Sequence, residues 1–188
     1  MSRSETETEQ GRFGKLRLWG RFSVAGVAVA ILALAADQAH KYWMLEIYRI
    51  AERGRVEVTS FFNLVLHWNR GISYGLLQQE STAGWLLLVA FSVTAVTVLL
   101  FWMSNAASRL IAISLGLIVG GALGNIADRI MHGAVADFFS FHYAGYYWYV
   151  FNIADVAITA GVIGLIIDWL ITPTPSPDSH RTQGPGGK

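Results

Sequence analysis

Four apolar runs limit what this chain can fold into. They extend from about Arg21 to Ala36, with the helix continuing to Met44; from Ala83 to Met103, without a single charge; from about Leu110 to Ala127; and from near Tyr149 to Asp168 or Ile171. Each approaches or exceeds the ~20 residues that an α-helix needs to cross a ~30 Å hydrocarbon core. Apolar residues make up 53% of the chain and charged ones 14%, which places it among membrane proteins rather than soluble domains. The stretch GRFGKLRLWGRFSVAGVAVAILALAADQA also has the basic, apolar and small-residue order of a cleaved leader. Three further spans follow it, so it is read as a retained first helix with a basic cytoplasmic flank.

Arg12, Lys15, Arg17 and Arg21 crowd the start of the first span, and positive charge next to a span favours the cytoplasmic side. An even number of spans then leaves both termini in the cytoplasm. The connections at about 42–83 and 128–148 face outward, and the short one near Ser104 to Arg109 faces inward. Residues 1–19 are polar and acidic and 172–188 are rich in Pro, Gly and Ser, so both are expected to be disordered cytoplasmic tails around a single 20–171 domain. In the first outer connection, RVEVTSFFNLVLHWN puts Phe62, Leu64, Leu66 and Trp68 on one face and Phe61, Asn63, Val65 and His67 on the other, the period of a β-strand. The second, FFSFHYAGYYWYV, is crowded with aromatic rings and suits a segment lying at the membrane-water boundary. The expected fold is therefore membrane α-helical: four spans with a small extracytoplasmic β element and an aromatic interfacial segment.

Composition removes several kinds of chemistry. The chain has no cysteine, which excludes disulfides, thiol nucleophiles and cysteine-bound metals. A net charge of +1 without a basic stripe gives no footprint for nucleic acid. His40, His67, His132, His142 and His180 are scattered without ligand spacing, so no metal site is expected. GISYG, residues 71–75, matches a serine-nucleophile pattern, but that pattern needs an alternating β/α sheet, and Ser73 is read as a coincidence.

The polar residues of the spans fall at one membrane face. Asp37 and Lys41 end the first helix, Asn125, Asp128 and Arg129 end the third, and Asn152 and Asp155 begin the fourth. Ionisable groups bordering a span are costly, so their convergence points to a shared site. Asp37 and Lys41, four apart, suit an ion pair. Asn125 with Asp128, and Asn152 with Asp155, are each three apart and would share a helical face. Gly116, Gly120, Gly121 and Gly124 leave room for another helix to approach closely. A further acid, Asp137, sits in GAVADFF between the two copies of NIAD. If Asp137 and Asp155 face each other, their like charges make one hold a proton while the other stays ionised, the state that an aspartic protease requires. Carboxylates within spans also serve as proton relays, so a proton-coupled transporter or channel component is the alternative. Transporter sites, however, lie near the midplane between repeated halves.

Five blocks in order, DQAHK (37–41), NRGISYG (69–75), GGALGNIADR (120–129), VADF (135–138) and FNIAD (151–155), resemble the lipoprotein signal peptidases, or signal peptidase II, over residues 20–171. The resemblance implies a catalytic dyad of Asp137 and Asp155, with Asp128 supporting the site through hydrogen bonds and a pairing with Arg129 or a neighbour. It implies that Asn69, Gly71, Asn125, Arg129 and Asn152 hold substrate and orient the dyad, and that Asp37 and Lys41 are mainly structural. His40 stands where the family usually has Ser or Thr, which puts a local hydrogen bond of the first block in question; Ser73-Tyr74 keeps the small-then-aromatic order of the second. The implied reaction is cleavage before a diacylglyceryl-modified cysteine of a bacterial prolipoprotein at the outer face of the inner membrane. It needs no cofactor, and its partners are the substrate and membrane lipids, with a monomer as the expected unit.

Overall fold

The computed structural model describes residues 18–71 and 82–172. The two expected tails, except for residues 18, 19 and 172, and the stretch containing Ser73 and Tyr74 lie outside the described residues. The elements are α1 (Ser23–Tyr42), continued by a π-helical turn (Trp43–Ile47), α2 (Ile50–Arg53), β1 (Val56–Thr59), β2 (Phe62–Asn69), α3 (Thr82–Ser104), α4 (Arg109–His132), β3 (Val135–Tyr143), β4 (Tyr146–Phe151) and α5 (Ile153–Ile171). Among the described residues, four helices, Ser23–Ile47, Thr82–Ser104, Arg109–His132 and Ile153–Ile171, are long and apolar enough to cross a membrane. Leu87, Phe91 and Val98 on α3 and Ile163, Trp169 and Leu170 on α5 are exposed, an apolar surface that suits lipid and would be a liability in water.

α4 is the central helix, with half of its apolar stretch buried. Its 24 residues span about 36 Å, enough to cross and emerge. The glycines explain how it takes neighbours on two sides. A methyl group on Gly116 or Gly120 would meet the backbone of Gly26 or Ala30 on α1, and one on Gly121 would meet the carbonyl of Ala154 on α5. Backbones therefore approach to a distance that side chains would forbid, and association in lipid is driven by such packing. Val96 of α3 fills the remaining side, packing with Ala30, Val119 and Ile126. Ser108 caps α4 by accepting the Ile111 N–H at 3.0 Å, and Gly133, at φ +72°, closes its other end.

The helix runs beyond the expected end at Ala127 to His132, so Asp128 and Arg129 belong to its last turns. α5 begins at Ile153 rather than near Tyr149, because the apolar run starts as strand β4 and turns helical only at Asn152. Asn152 is consequently the N-cap and does not share a helical face with Asp155. The two form a capping box, in which Asn152 Oδ1 accepts the Asp155 N–H at 3.0 Å and Asp155 Oδ2 accepts the Asn152 N–H at 3.2 Å.

The two outer connections build one antiparallel sheet in the order β1-β2-β3-β4. The aromatic connection is thus half of the β element and not a separate surface segment. Its strands turn at Ala144 and Gly145, both at positive φ (+49° and +83°), as a tight two-residue hairpin requires. β2 pairs Phe62 with Phe141 and Leu64 with Phe139, then His67 with Asp137 and Asn69 with Val135. Three steps on β2 meet two on β3, so one extra residue bulges between Leu64 and His67. Directly opposed residues share a face, so His67 and Asn69 join Phe62 and Leu64. Trp68 goes to the other face, against the alternation expected from the sequence. The sheet rests on the end of α1: Met44, Ile50, Ala136 and Phe138 form one buried cluster, with Leu64 and Leu66 against it.

Candidate active site

The bulge in β2 brings the first polar group to Asp137. Asn69 Nδ2 donates to Asp137 Oδ2 at 3.1 Å, while Asn69 Oδ1 accepts the Gly71 N–H at 3.0 Å, which fixes the orientation of the amide. Asn152 Nδ2 donates to Asp137 Oδ1 at 2.6 Å. The residue that caps α5 thereby touches both acids, through its side chain on Asp137 and through its backbone N–H on Asp155. Asn125 Nδ2 completes Asp155 by donating to its Oδ1 at 3.1 Å. Both carboxylates line a cavity of about 160 Å³ with Asn69, Gly71, Asn125, Arg129, Val135, Tyr149 and Ile158.

Asp137 lies on the sheet, fully buried. Its pKa is pushed up to about 7, first by burial and then by the charge of Asp155, against the pull of the Asn69 and Asn152 amides and of Lys41. It therefore holds a proton far more readily than an ordinary carboxylate does.

Behind the dyad lies a second, closed network. Lys41 Nζ sits 2.8 Å from Asp37 Oδ2 and 2.9 Å from Asp128 Oδ2, and it donates to Asn125 Oδ1 at 3.3 Å. The expected pair of Asp37 and Lys41 is present, and the partner of Asp128 is Lys41 rather than Arg129. Asp128 also accepts the Ala136 N–H at 2.9 Å, one residue before Asp137. Asp37 Oδ1 accepts the Ala154 N–H at 2.9 Å, one residue before Asp155. Each supporting acid thus fixes the backbone beside one acid of the dyad. Gly124 leaves the space in which the Asp37 carboxylate sits. Arg129 turns the other way, donating to the Gly71 carbonyl at 3.0 Å and the Asn125 carbonyl at 3.3 Å.

The family model for signal peptidase (SPase) II matches residues 29–171. The lipoprotein signal peptidase of Nitrobacter hamburgensis is 53% identical over 154 residues, covering 79% of this chain and 94% of that protein. The chain belongs to the signal peptidase II family. The lipoprotein signal peptidase of Methylorubrum extorquens is 48% identical, covering 87% of this chain and 95% of its own. A solved bacterial membrane enzyme shares the fold with a TM-score of 0.68 at 28% identity, covering 84% of this chain and 93% of its own.

Of the sequence-derived residues, Asn69, Gly71, Asn125 and Arg129 line one cavity with Asp137 and Asp155, Asn152 donates to both acids, and Asp37, Lys41 and Asp128 form the network behind them. Two others were missed. Gln38 Nε2 donates to Asp128 Oδ1 at 3.1 Å and to the Gly124 carbonyl at 3.2 Å, which ties α1 to α4. Tyr149 lines the cavity with its hydroxyl on Asn69 Nδ2. Gln38 stood inside DQAHK and could have been picked out as a polar residue on a span; Tyr149 was one of several neighbouring rings. His40 packs on the rings of Phe138 and Phe139, with centroids 5.5 and 5.1 Å away, and its Nδ1 has no hydrogen-bond partner among the described residues. His40 thus meets the strand of Asp137 through ring packing.

Proposed function

We propose that this chain removes the signal peptide from diacylglyceryl-modified bacterial prolipoproteins, cleaving before the lipid-modified cysteine with Asp137 and Asp155 as the catalytic dyad. One observation carries the reading: a single residue, Asn152, donates to both acids and holds them on the rim of one small cavity. Asp155 is the third residue of α5, where the helix N-terminus favours negative charge, and acts as the carboxylate. Asp137, buried on the sheet, holds the shared proton.

A water between them loses its proton to Asp155 while its oxygen attacks the scissile carbonyl carbon, and Asp137 gives its proton to the carbonyl oxygen. The tetrahedral intermediate collapses as the proton on Asp155 passes to the leaving nitrogen. The carbon-nitrogen bond breaks, and the hydroxyl proton returns to Asp137. Asn69, Gly71, Asn125, Arg129 and Asn152 hold the peptide and the dyad in register, while Asp37, Lys41 and Asp128 brace the backbone behind them.

A groove of about 590 Å³ along α5, lined by Trp148, Phe151, Val156, Thr159 and Ile163, reaches Asp155 from the apolar side and suits a substrate that arrives within the bilayer. The dyad stands at one end of the spans, which we assign to the outer face of the inner membrane with both termini in the cytoplasm and the enzyme working as a monomer. A transporter site would lie near the midplane. The test is the rate on lipidated against non-lipidated precursor in detergent. A strong preference for the lipidated form is expected, and equal rates would remove the substrate assignment.

A further inference from the structure

Tyr149 stands on β4, the outer strand of the sheet, yet its hydroxyl reaches Asn69 on β2, across the strand that carries Asp137. Two irregularities of the sheet border this contact. β3 and β4 pair Phe139 with Phe151 and Ser140 with Val150, then His142 with Tyr147. Two steps on β3 meet three on β4, so an extra residue lies between Val150 and Tyr147. Phe151 shares the face of Phe139 and Asp137, and Tyr149, two residues earlier, keeps that face. Beyond the bulge the hairpin tip is rotated, so that Tyr147 faces away with His142 and accepts a hydrogen bond from Arg55 at 2.8 Å. The β2 bulge re-aims Asn69 at Asp137, as bulges beside reaction centres commonly do, while Tyr149 stays on the same face and reaches Asn69.

The amide of Asn69 has both hydrogens committed, one to Asp137 at 3.1 Å and the other to the Tyr149 hydroxyl. Its oxygen is held by the Gly71 N–H. We propose that Tyr149 is a positioning residue of this peptidase, holding the Asn69 amide on Asp137 through its hydroxyl. The proposal rests on the reading of Asp137 as a member of the dyad. Tyr149 also borders both the dyad cavity and the apolar groove, so this lock lies where the substrate backbone must pass.

The consequence is readable in the pH profile. The Asn69 hydrogen bond favours the ionised form of Asp137, so loosening it raises the pH at which this acid loses its proton. Asp137 also faces Asp155 from α5, Arg129 from α4 and Lys41 from α1, and none of these is replaced in the test. Full-length enzyme in detergent would be assayed on diacylglyceryl-modified prolipoprotein as wild type, Tyr149→Phe, Asn69→Ala, the double variant and Asp137→Asn, with rates expressed per folded molecule. Tyr149→Phe should lower kcat about five-fold with KM within about two-fold, the loss of one hydrogen bond. It should also move the alkaline limb of kcat up by about half a pH unit. In the Asn69→Ala background it should change nothing further, which a merely structural role would not produce.

Unchanged kcat and an unmoved alkaline limb in folded Tyr149→Phe, or the same loss in both backgrounds, would overturn the proposal. Tyr149→Met serves as a second hydroxyl-free side chain if the phenylalanine variant folds poorly. Activity retained in Asp137→Asn would sink the dyad itself, whereas inactive Asp137→Asn beside a wild-type-like Tyr149→Phe sinks only the role of Tyr149.

Discussion

Replacing Asp137 by asparagine should make the fold more stable at pH 8 and less stable near pH 4. The acid titrates near 7 in the folded protein, against an ordinary value of 3.8. Because the folded value is the higher one, the native state keeps a proton that the unfolded state has lost throughout the interval between them. Stability therefore falls as pH rises through that window, by about 1.4 kcal/mol per pH unit, to a total of about 4 kcal/mol above pH 7. Asparagine carries no charge and escapes this cost. It introduces another, because its amide nitrogen must face either Asn69 Nδ2 or Asn152 Nδ2, donor against donor, at about 1 to 3 kcal/mol. The net is a gain of roughly 1 to 3 kcal/mol at pH 8 and a comparable loss near the ordinary carboxylate range, crossing at about pH 4.5 to 6. The seven tryptophans allow this to be followed by intrinsic-fluorescence melting in detergent from about pH 4 to 8. A variant that is less stable than wild type at every pH, or offset by a constant amount, would refute the assignment of a buried, proton-holding Asp137.

Three further outcomes follow from the supporting residues. Lys41→Met leaves the carboxylates of Asp37 and Asp128 buried without their cation, and should cost about 3 to 5 kcal/mol in the same melting assay. Asn152→Ala removes the cap of α5 and a donor to Asp137, and should cost about 1 to 2 kcal/mol of stability together with most of the turnover, read as kcat at fixed folded fraction. Ala144→Gly relieves a left-handed alanine in an exposed hairpin turn and should raise stability by up to about 1 kcal/mol while leaving cleavage unchanged.

The spans were legible because lipid imposes one demand, a long apolar run, and four such runs are unmistakable. The ends were less so. Tyr149-Val150-Phe151 is as apolar as the helix it leads into, so composition could not show that these residues pair with β3 before the chain turns at Asn152. The signal was nonetheless present: an asparagine with an aspartate three residues on, ahead of an apolar run, is the pattern of a capping box. The site residues were legible as blocks, but their division of labour was not. Asp128 and Asp155 stand in the same tetrapeptide, and only the fold shows that one meets Lys41 while the other meets Asn125 and the end of α5. The bulges were invisible, since a period of two read along β2 cannot reveal an inserted residue when both faces carry large side chains. That insertion is what brings Asn69 to Asp137 and keeps Trp68 away from it.

The central claim, that Asp137 and Asp155 carry the chemistry while Asp128 only braces it, comes down to one measurement. Purified enzyme in detergent is given diacylglyceryl-modified prolipoprotein, and the cleavage rates of wild type, Asp137→Asn, Asp155→Asn and Asp128→Asn are compared at equal folded fraction. Each of the first two substitutions should lower the rate by at least about 100-fold, the scale of losing a positioned acid or base. Asp128→Asn should cause a partial loss that follows the folded fraction. Undiminished cleavage by either Asp137→Asn or Asp155→Asn would contradict the account.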